Sequence, residues 1–402
     1  RDLVRSRGLG DVYKRQLMHR IADTYGPLVY HQLGETPRVY GQQEAYTRFF
    51  ADLDEGQQLI REYLDEGGDN NKFKEYDMLT NGKTLKEWLK FANSLRLRLA
   101  MRISNVDATL AKDQATKALN DNQGVLEGAR ETIAVMGKNY INPLCAVAGW
   151  GEVYMNASME SIVNGYEDPR GKKWYNTALL EGYQKQLLGI PIGLPMKDGD
   201  ANIYSFCSSL NTSTIGEKTG AVLMSAAEVW LLRAEAALRG YTKENPRTCY
   251  EYGVSTSFTQ WDCAGASEYL ESDKTPADYK DVVSGGKVGK DMKALITISP
   301  KWEEDADIET KLEKIITQKW LACWPESYEA WAEQRRTGYP KLFKVQNNTG
   351  KVIDTDIMIR RLPFSTDAAT ADPAQYATLT EKLGGADNGA TRLWWDTGKN
   401  SF

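Results

Sequence analysis

The chain has 402 residues, with 50 Lys plus Arg against 55 Asp plus Glu, a net charge of −5. Nucleic-acid binders carry a basic excess that displaces counterions from phosphates; this chain carries none, and no run of ~18 apolar residues exists to cross a bilayer as a helix. Hydrophobic residues make up 41% and charged residues 26%, a globular rather than a disordered composition. At ~150 residues per domain, the length fits two or three domains or one large helical body.

The first sixteen residues, RDLVRSRGLGDVYKRQ, hold five basic and two acidic residues and no apolar core of a signal peptide. They resemble translated adapter sequence at the end of a metagenomic gene prediction. The expectation is that 1–16 is non-native and that the native N-terminus, with any export signal, is missing.

Helical stripes follow in order. Tyr46, Phe49, Phe50, Leu53, Ile60 and Leu64 form one; Leu85, Trp88, Leu89, Ala92, Leu95, Leu99 and Ile103 form a second. A shorter one covers 107–121, with Ala111, Ala115 and Ala118. Short connections between these helices predict antiparallel neighbours. Small and large residues alternate over 221–241, a tetratricopeptide-like pattern that Gly240 stops. A long helix is predicted over 310–336, kinked or split at Pro325. The stretches 137–220 and 242–309 are rich in turn formers and interleaved aromatics, and they read as long ordered loops.

The chain has 11 Trp and 21 Tyr against 9 Phe, an inventory suited to binding surfaces as well as cores. His19 and His31 are the only histidines, too few for a multi-His metal centre. The cysteines at 145, 207, 249, 263 and 323 lack CxxC spacing, which argues against a zinc ribbon or a thioredoxin-type site. Cys249 and Cys263 are the nearest pair, but free thiols are the expectation. No GxSxG, HExxH or Walker-type motif occurs.

Four islands, MSAAEVWLLRAEAALRGY (224–241), IITQKWLACWPESYEAWAEQRRTGYPKL (315–342), IRRLPF (359–364) and GATRLWWD (389–396), stand in a fixed order. IADTYGPLVY (21–30), NPL (142–144) and DPR (168–170) lie upstream of all four. Together they resemble the SusD/RagB family of nutrient-binding outer-membrane lipoproteins of Bacteroidota, in its divergent second subgroup. The resemblance implies a mainly α fold: a tetratricopeptide-like helix-pair scaffold with long irregular loop-rich segments. It implies a single SusD-like domain over 17–402, with helical scaffold at 17–136, 221–241 and 310–342. The loop-rich ligand region would be 137–220 and 242–309, and 343–402 a docking tail. It further implies a lipid-anchored protein on the extracellular face of the outer membrane, its anchor Cys missing here. Such a protein is no enzyme; it passes an oligosaccharide or other nutrient to a SusC-like TonB-dependent transporter.

Within that frame, Trp320, Trp324, Tyr328 and Trp331 recur at helical spacing and are expected to form one buried face. Arg335 and Arg336 close that helix, while Arg360, Arg361, Trp394 and Trp395 are expected to dock the tail. Ligand capture is sought among loop aromatics, because sugar rings stack on Trp and Tyr while short polar side chains take the hydroxyls. The candidates are Trp150, Tyr154 and Asn156; Asp198, Asp200, Asn202 and Tyr204; and Trp261. Asp198, Asp200 and Asn202 also occupy the first three ligand positions of an EF-hand loop, but Ile203 replaces its Gly and Ser209 its bidentate Glu. A polar turn and no cofactor is therefore expected, with Ca2+ on these oxygens as the alternative. Two other functions stand beside nutrient capture. A tetratricopeptide adaptor would show a regular period of ~34 residues, and none is visible. An α-helical glycoside hydrolase would need a pair of carboxyl groups that the sequence does not single out.

Overall fold

A computed structural model describes residues 2–31, 35–77, 82–137, 140–195, 201–350, 352–399 and 401–402. Helices dominate among the described residues. In chain order they are α1 (Asp2–Tyr25), α2 (Gln42–Asp65), α3 (Leu85–Arg102), α4 (Ala108–Leu119), α5 (Pro143–Ala148), α6 (Ala157–Gly165), α7 (Gly171–Trp174) and α8 (Ala226–Leu238). Then come α9 (Pro246–Gln260), α10 (Ala266–Leu270), α11 (Ile308–Ala322), α12 (Ser327–Thr337), α13 (Ala368–Ala371) and α14 (Pro373–Leu383). Two antiparallel strand pairs complete the order: β1 (Leu28–Tyr30) with β2 (Arg38–Tyr40), and β3 (Ile133–Val135) with β4 (Ala221–Met224).

The helix starts are written in short polar residues. Thr84 and Glu87 form a capping box on α3, Ser225 accepts from Glu228 N on α8, and Asp307 accepts from Thr310 N on α11. The predicted break at Pro325 separates α11 from α12. The segment 2–16, set aside in the sequence reading, continues α1 without interruption; Val12 is buried, and Gln16 donates to Leu223 O at 3.4 Å.

Two expectations are corrected here. The helix expected over 221–241 begins only at Ala226, and its first residues, Ala221–Met224, are β4. The supposed loop at 242–309 contains α9, fifteen residues with many Thr, Ser and Tyr, which are modest helix formers. Asn245 caps it, Pro246 occupies its first turn, and Cys249, Tyr250, Gly253, Val254, Ser257 and Phe258 make a buried stripe. Gly253 is there because α8 comes so close: a Cβ at that position would lie 2.6 Å from Leu231 Cγ. Tertiary packing holds this helix where propensity would not.

Two large apolar clusters form the core. One joins α1 to α4, β3, β4 and part of α8 with Trp395 of the tail; the other joins α6, α7, α9 and α11 to the remaining face of α8. Between helices runs a buried ionic network. Arg98 pairs with Glu228 at 2.6 Å, and Arg102 reaches Asp23 at 3.2 Å, Glu329 at 2.6 Å and also Glu333. Lys319 lies 2.8 Å from Glu329 and 3.1 Å from Glu333, and Arg336 lies 2.7 Å from Glu235 and 2.6 Å from Glu333. These contacts tie α1, α3, α8, α11 and α12 together. Burial alone would push Glu329 and Glu333 up; the surrounding cations overcome it and hold both well below the ordinary carboxylate range.

The tail is pinned by the same kind of contact. Arg360 pairs with Asp396 at 2.7 Å and donates to Arg335 O at 2.7 Å, and Arg361 pairs with Asp387 at 2.7 Å. Trp395, fully buried, donates to Asp23 at 2.8 Å, and Trp394 packs 6.0 Å from Tyr46. All five cysteines are free thiols, with Cys207, Cys249 and Cys323 buried.

Candidate functional site

The elbow between α11 and α12 forms one wall of a cleft of about 360 Å3. Trp320 enters it from α11, Trp324 from the turn after α11, Trp331 from α12, and Tyr175 from the residue after α7. Asn156, Glu326, Ser327 and Gln334 supply polar groups, and Met358 and Ile359 of the tail close one side. Behind the opening the rings are locked. Trp324 stacks on Trp174 (centroids 5.1 Å, 18°), meets Trp261 edge-on at 5.2 Å, and donates from Nε1 to Tyr175 OH at 3.1 Å. The Arg335 guanidinium lies 3.5 Å over Trp331. Rings fixed this way present a preformed apolar face at low entropic cost on binding.

The polar groups are equally constrained. Asn156 caps α6 through Met159 N, and Glu326 caps α12 through Glu329 N at 3.1 Å while pairing with Arg20 at 2.5 Å. Burial pushes the Glu326 carboxyl up, against the pull of Arg20. Two of the short motifs serve the loops around the cleft. Asn142 caps α5 and donates to Thr219 O at 2.9 Å; Asp168 and Arg170 form a buried pair at 2.6 Å.

The residues predicted from sequence separate into groups. Trp320, Trp324 and Trp331, expected as one buried face with Tyr328, instead line the cleft, and Tyr328 is 52% exposed. The helix break explains this: Trp320 sits on α11, Trp324 in the turn after it, and Tyr328 and Trp331 on α12, so their spacing no longer describes one face. Arg335 and Arg336 are buried in the ionic and aromatic interior. Among the loop candidates, Asn156 is at the cleft and Trp261 is half-buried behind it, edge-on to Trp174 and Trp324. Trp150 is 70% exposed, in the loop between the cleft residues Leu144 and Val153.

Tyr154 is half-buried, bridged to Ser209. Tyr204 is a core residue rather than a ligand contact: it is fully buried, donates to Asp281 at 3.0 Å and accepts from Gly289 N at 3.0 Å. Asn202 accepts from Tyr204 N at 3.1 Å, a turn bond. Asp198 and Asp200, and with them the calcium alternative, lie outside the described residues. Sequence reading missed Tyr175, Met159, Gln334, Met358 and Ile359, which come from four separate parts of the chain.

Glu160 of α6 lies beneath the neighbouring loop, where its carboxylate accepts from Gly189 N at 2.5 Å. Burial pushes it up to about 8, against that one amide. The unfolded chain therefore ionises this group between about pH 4.5 and 8 while the folded chain keeps it protonated, so it removes stability as pH rises through that window. Thermal unfolding should show wild type losing more Tm from pH 5 to 8 than Glu160→Gln, which keeps the acceptor for Gly189; parallel pH profiles would refute this assignment.

A family model described as SusD-like, SusD and RagB outer membrane lipoprotein, matches residues 3–396. A SusD homologue from Bacteroides vulgatus is 56% identical with a TM-score of 0.94, over 98% of this chain and 80% of its own. A chitin-binding SusD homologue from Flavobacterium johnsoniae is 36% identical with a TM-score of 0.91, over 98% of this chain and 81% of its own. A SusD homologue from Bacteroides thetaiotaomicron is 31% identical with a TM-score of 0.86, over 97% and 81%. No curated protein matches significantly. A match over nearly the whole length, on a helical scaffold shared with these solved structures, places this chain in the SusD-like family of outer-membrane lipoproteins.

Proposed function

We propose that this chain captures a glycan in the cleft at the α11–α12 elbow and passes it to a TonB-dependent transporter. It acts from the extracellular face of the outer membrane, held there by a lipid, and works by binding, without catalysis or a cofactor. The observation that carries this reading is the convergence of Trp320, Trp324, Trp331 and Tyr175 on one cleft with Asn156, Ser327 and Gln334 beside them. Fixed rings offer faces to the apolar C–H surfaces of a sugar, and the amides and hydroxyl match its OH groups. Glu326, the carboxylate among these, is committed to Arg20 and to the α12 cap, which suits a structural part. The similarity to a chitin-binding relative makes chitin oligosaccharides the first ligands to test.

The experiment is native affinity electrophoresis through gels containing glycol chitin, a β-glucan, starch or xylan. One polysaccharide should retard the protein, and Trp331→Ala should weaken retardation about tenfold or more, since a lost stacking ring is worth ~1.4 kcal/mol or above. Trp331 is half-buried, so its variant should keep a near-native Tm. Wild-type retardation by Trp331→Ala protein would move the ligand off this cleft. Release of shorter sugars from the same polysaccharide would replace binding with hydrolysis.

A further inference from the structure

A second recess, of about 810 Å3, lies between α4, the segment that follows it, and the α8–α9 turn. It shares no lining residue with the elbow cleft. Its volume falls within the ~300–1,000 Å3 common for ligand sites. Arg233 lines it, donating to Glu127 at 2.7 Å and to Glu244 at 3.0 Å. The same guanidinium lies 3.7 Å over the ring of Trp230, and Trp230 Nε1 donates to Glu127 O at 2.9 Å. Tyr252 of α9 packs against Trp230 with centroids 4.8 Å apart and planes 32° from parallel, and it is 53% exposed. The two helices thus carry an Arg–Trp–Tyr stack on their outer side, anchored through Glu127 to the wall of the recess, with the tyrosine outermost.

We infer that this is a second saccharide-binding site: Tyr252 stacks on the C–H face of a sugar ring, and the recess takes the hydroxyls of the adjoining units. Three features specify the ligand class. The outermost ring is rigidly backed, so stacking costs little conformational entropy. The recess wall mixes polar groups, Thr116 and Asn120 among them, with the apolar Leu119 and Val125, as a sugar's hydroxyl and C–H faces require. Its charges nearly balance, with Lys112, Arg233 and Lys243 facing Glu127 and Glu244. A polyanion or polycation would meet repulsion from one set, whereas an uncharged polyhydroxyl chain can use both as hydrogen-bond partners. These residues lie apart from the elbow cleft, so ligand binding here is independent of what fills that cleft.

The test uses protein carrying 5-fluorotryptophan, with the Trp230 resonance assigned from Trp230→Phe. Wild type, Trp331→Ala and Tyr252→Ala are titrated with chito-, cello-, malto- and xylo-oligosaccharides and with heparin. One uncharged series should move the Trp230 resonance in both wild type and Trp331→Ala, and Tyr252→Ala should weaken that response about tenfold. The second site is overturned if the Trp230 resonance stays still with every uncharged series, if Tyr252→Ala responds as strongly as wild type, or if heparin alone moves it. Resonances of Trp320, Trp324 and Trp331 report separately on the elbow cleft in the same spectra. Silence there beside a moving Trp230 would refute the first reading and leave this one standing.

Discussion

Glu329→Gln should lower the unfolding free energy by about 3–5 kcal/mol at neutral pH, the usual cost of removing one partner from a buried charge group. Glu329 accepts from Arg102 at 2.6 Å and from Lys319 at 2.8 Å, and it lies 3.5 Å from Arg98. The glutamine preserves shape and an acceptor oxygen, so the loss reports charge rather than packing. All three cations are buried, and water cannot replace the missing carboxylate. The sign of the pH dependence follows from the direction of the shift. Glu329 is held well below its ordinary value, so its contribution is complete above about pH 4.5 and is lost only as pH falls through the lowered folded value. Urea unfolding at pH 7 and pH 5 should therefore give nearly the same difference between wild type and variant. A difference below ~1 kcal/mol at pH 7 would mean that the neighbouring carboxylates, Glu333 above all, re-pair the cations.

Trp324→Ala should remove both stability and ligand binding, unlike Trp331→Ala, which should remove binding alone. Trp324 stacks on Trp174, meets Trp261 and Tyr175 edge-on and holds the Tyr175 hydroxyl, so its loss opens a cavity shared by α7, α9 and α11. Truncation of a packed aromatic costs about 3–5 kcal/mol. The cleft would lose one ring directly and the placement of Tyr175 with it. Urea unfolding beside affinity electrophoresis separates the two effects, and Tyr328→Ala, on the exposed side of α12, serves as the matched variant that should alter neither. Equal stability losses for Trp324→Ala and Trp331→Ala would show that the cleft wall is rigid as a unit and that the two tryptophans do not divide the work this way.

Much of the helical architecture is legible along the chain. The apolar stripe at 85–103 becomes α3, the one at 46–64 becomes α2, and Pro325 splits α11 from α12 where a missing amide hydrogen forces it. The family could be read from the islands at 224–241, 315–342, 359–364 and 389–396, which the structure uses for α8, the elbow and the tail contacts. The helix α9 was missed because its Thr, Ser and Tyr residues are weak helix formers, although the Asn245–Pro246 start and the stripe from Cys249 to Phe258 were there to be read. The site was less legible. Trp150 and Tyr204 look alike as loop aromatics, yet one is exposed and the other fully buried.

By itself the sequence determined the family, the helical class, the places of α2, α3, α4, α8, α11 and α12, and the inventory of rings and charges. Those depend on interactions between residues a few positions apart: caps, i to i+4 stripes, and the backbone limits of proline and glycine. The tertiary structure alone decided that Glu228, Glu235, Glu329 and Glu333 face buried cations rather than water, and that three elbow tryptophans line a cleft with Tyr175. Along the chain, a buried glutamate that pairs with an arginine over two hundred residues away is indistinguishable from a solvated one. Only the crossing of helices brings the two together and excludes the water between them.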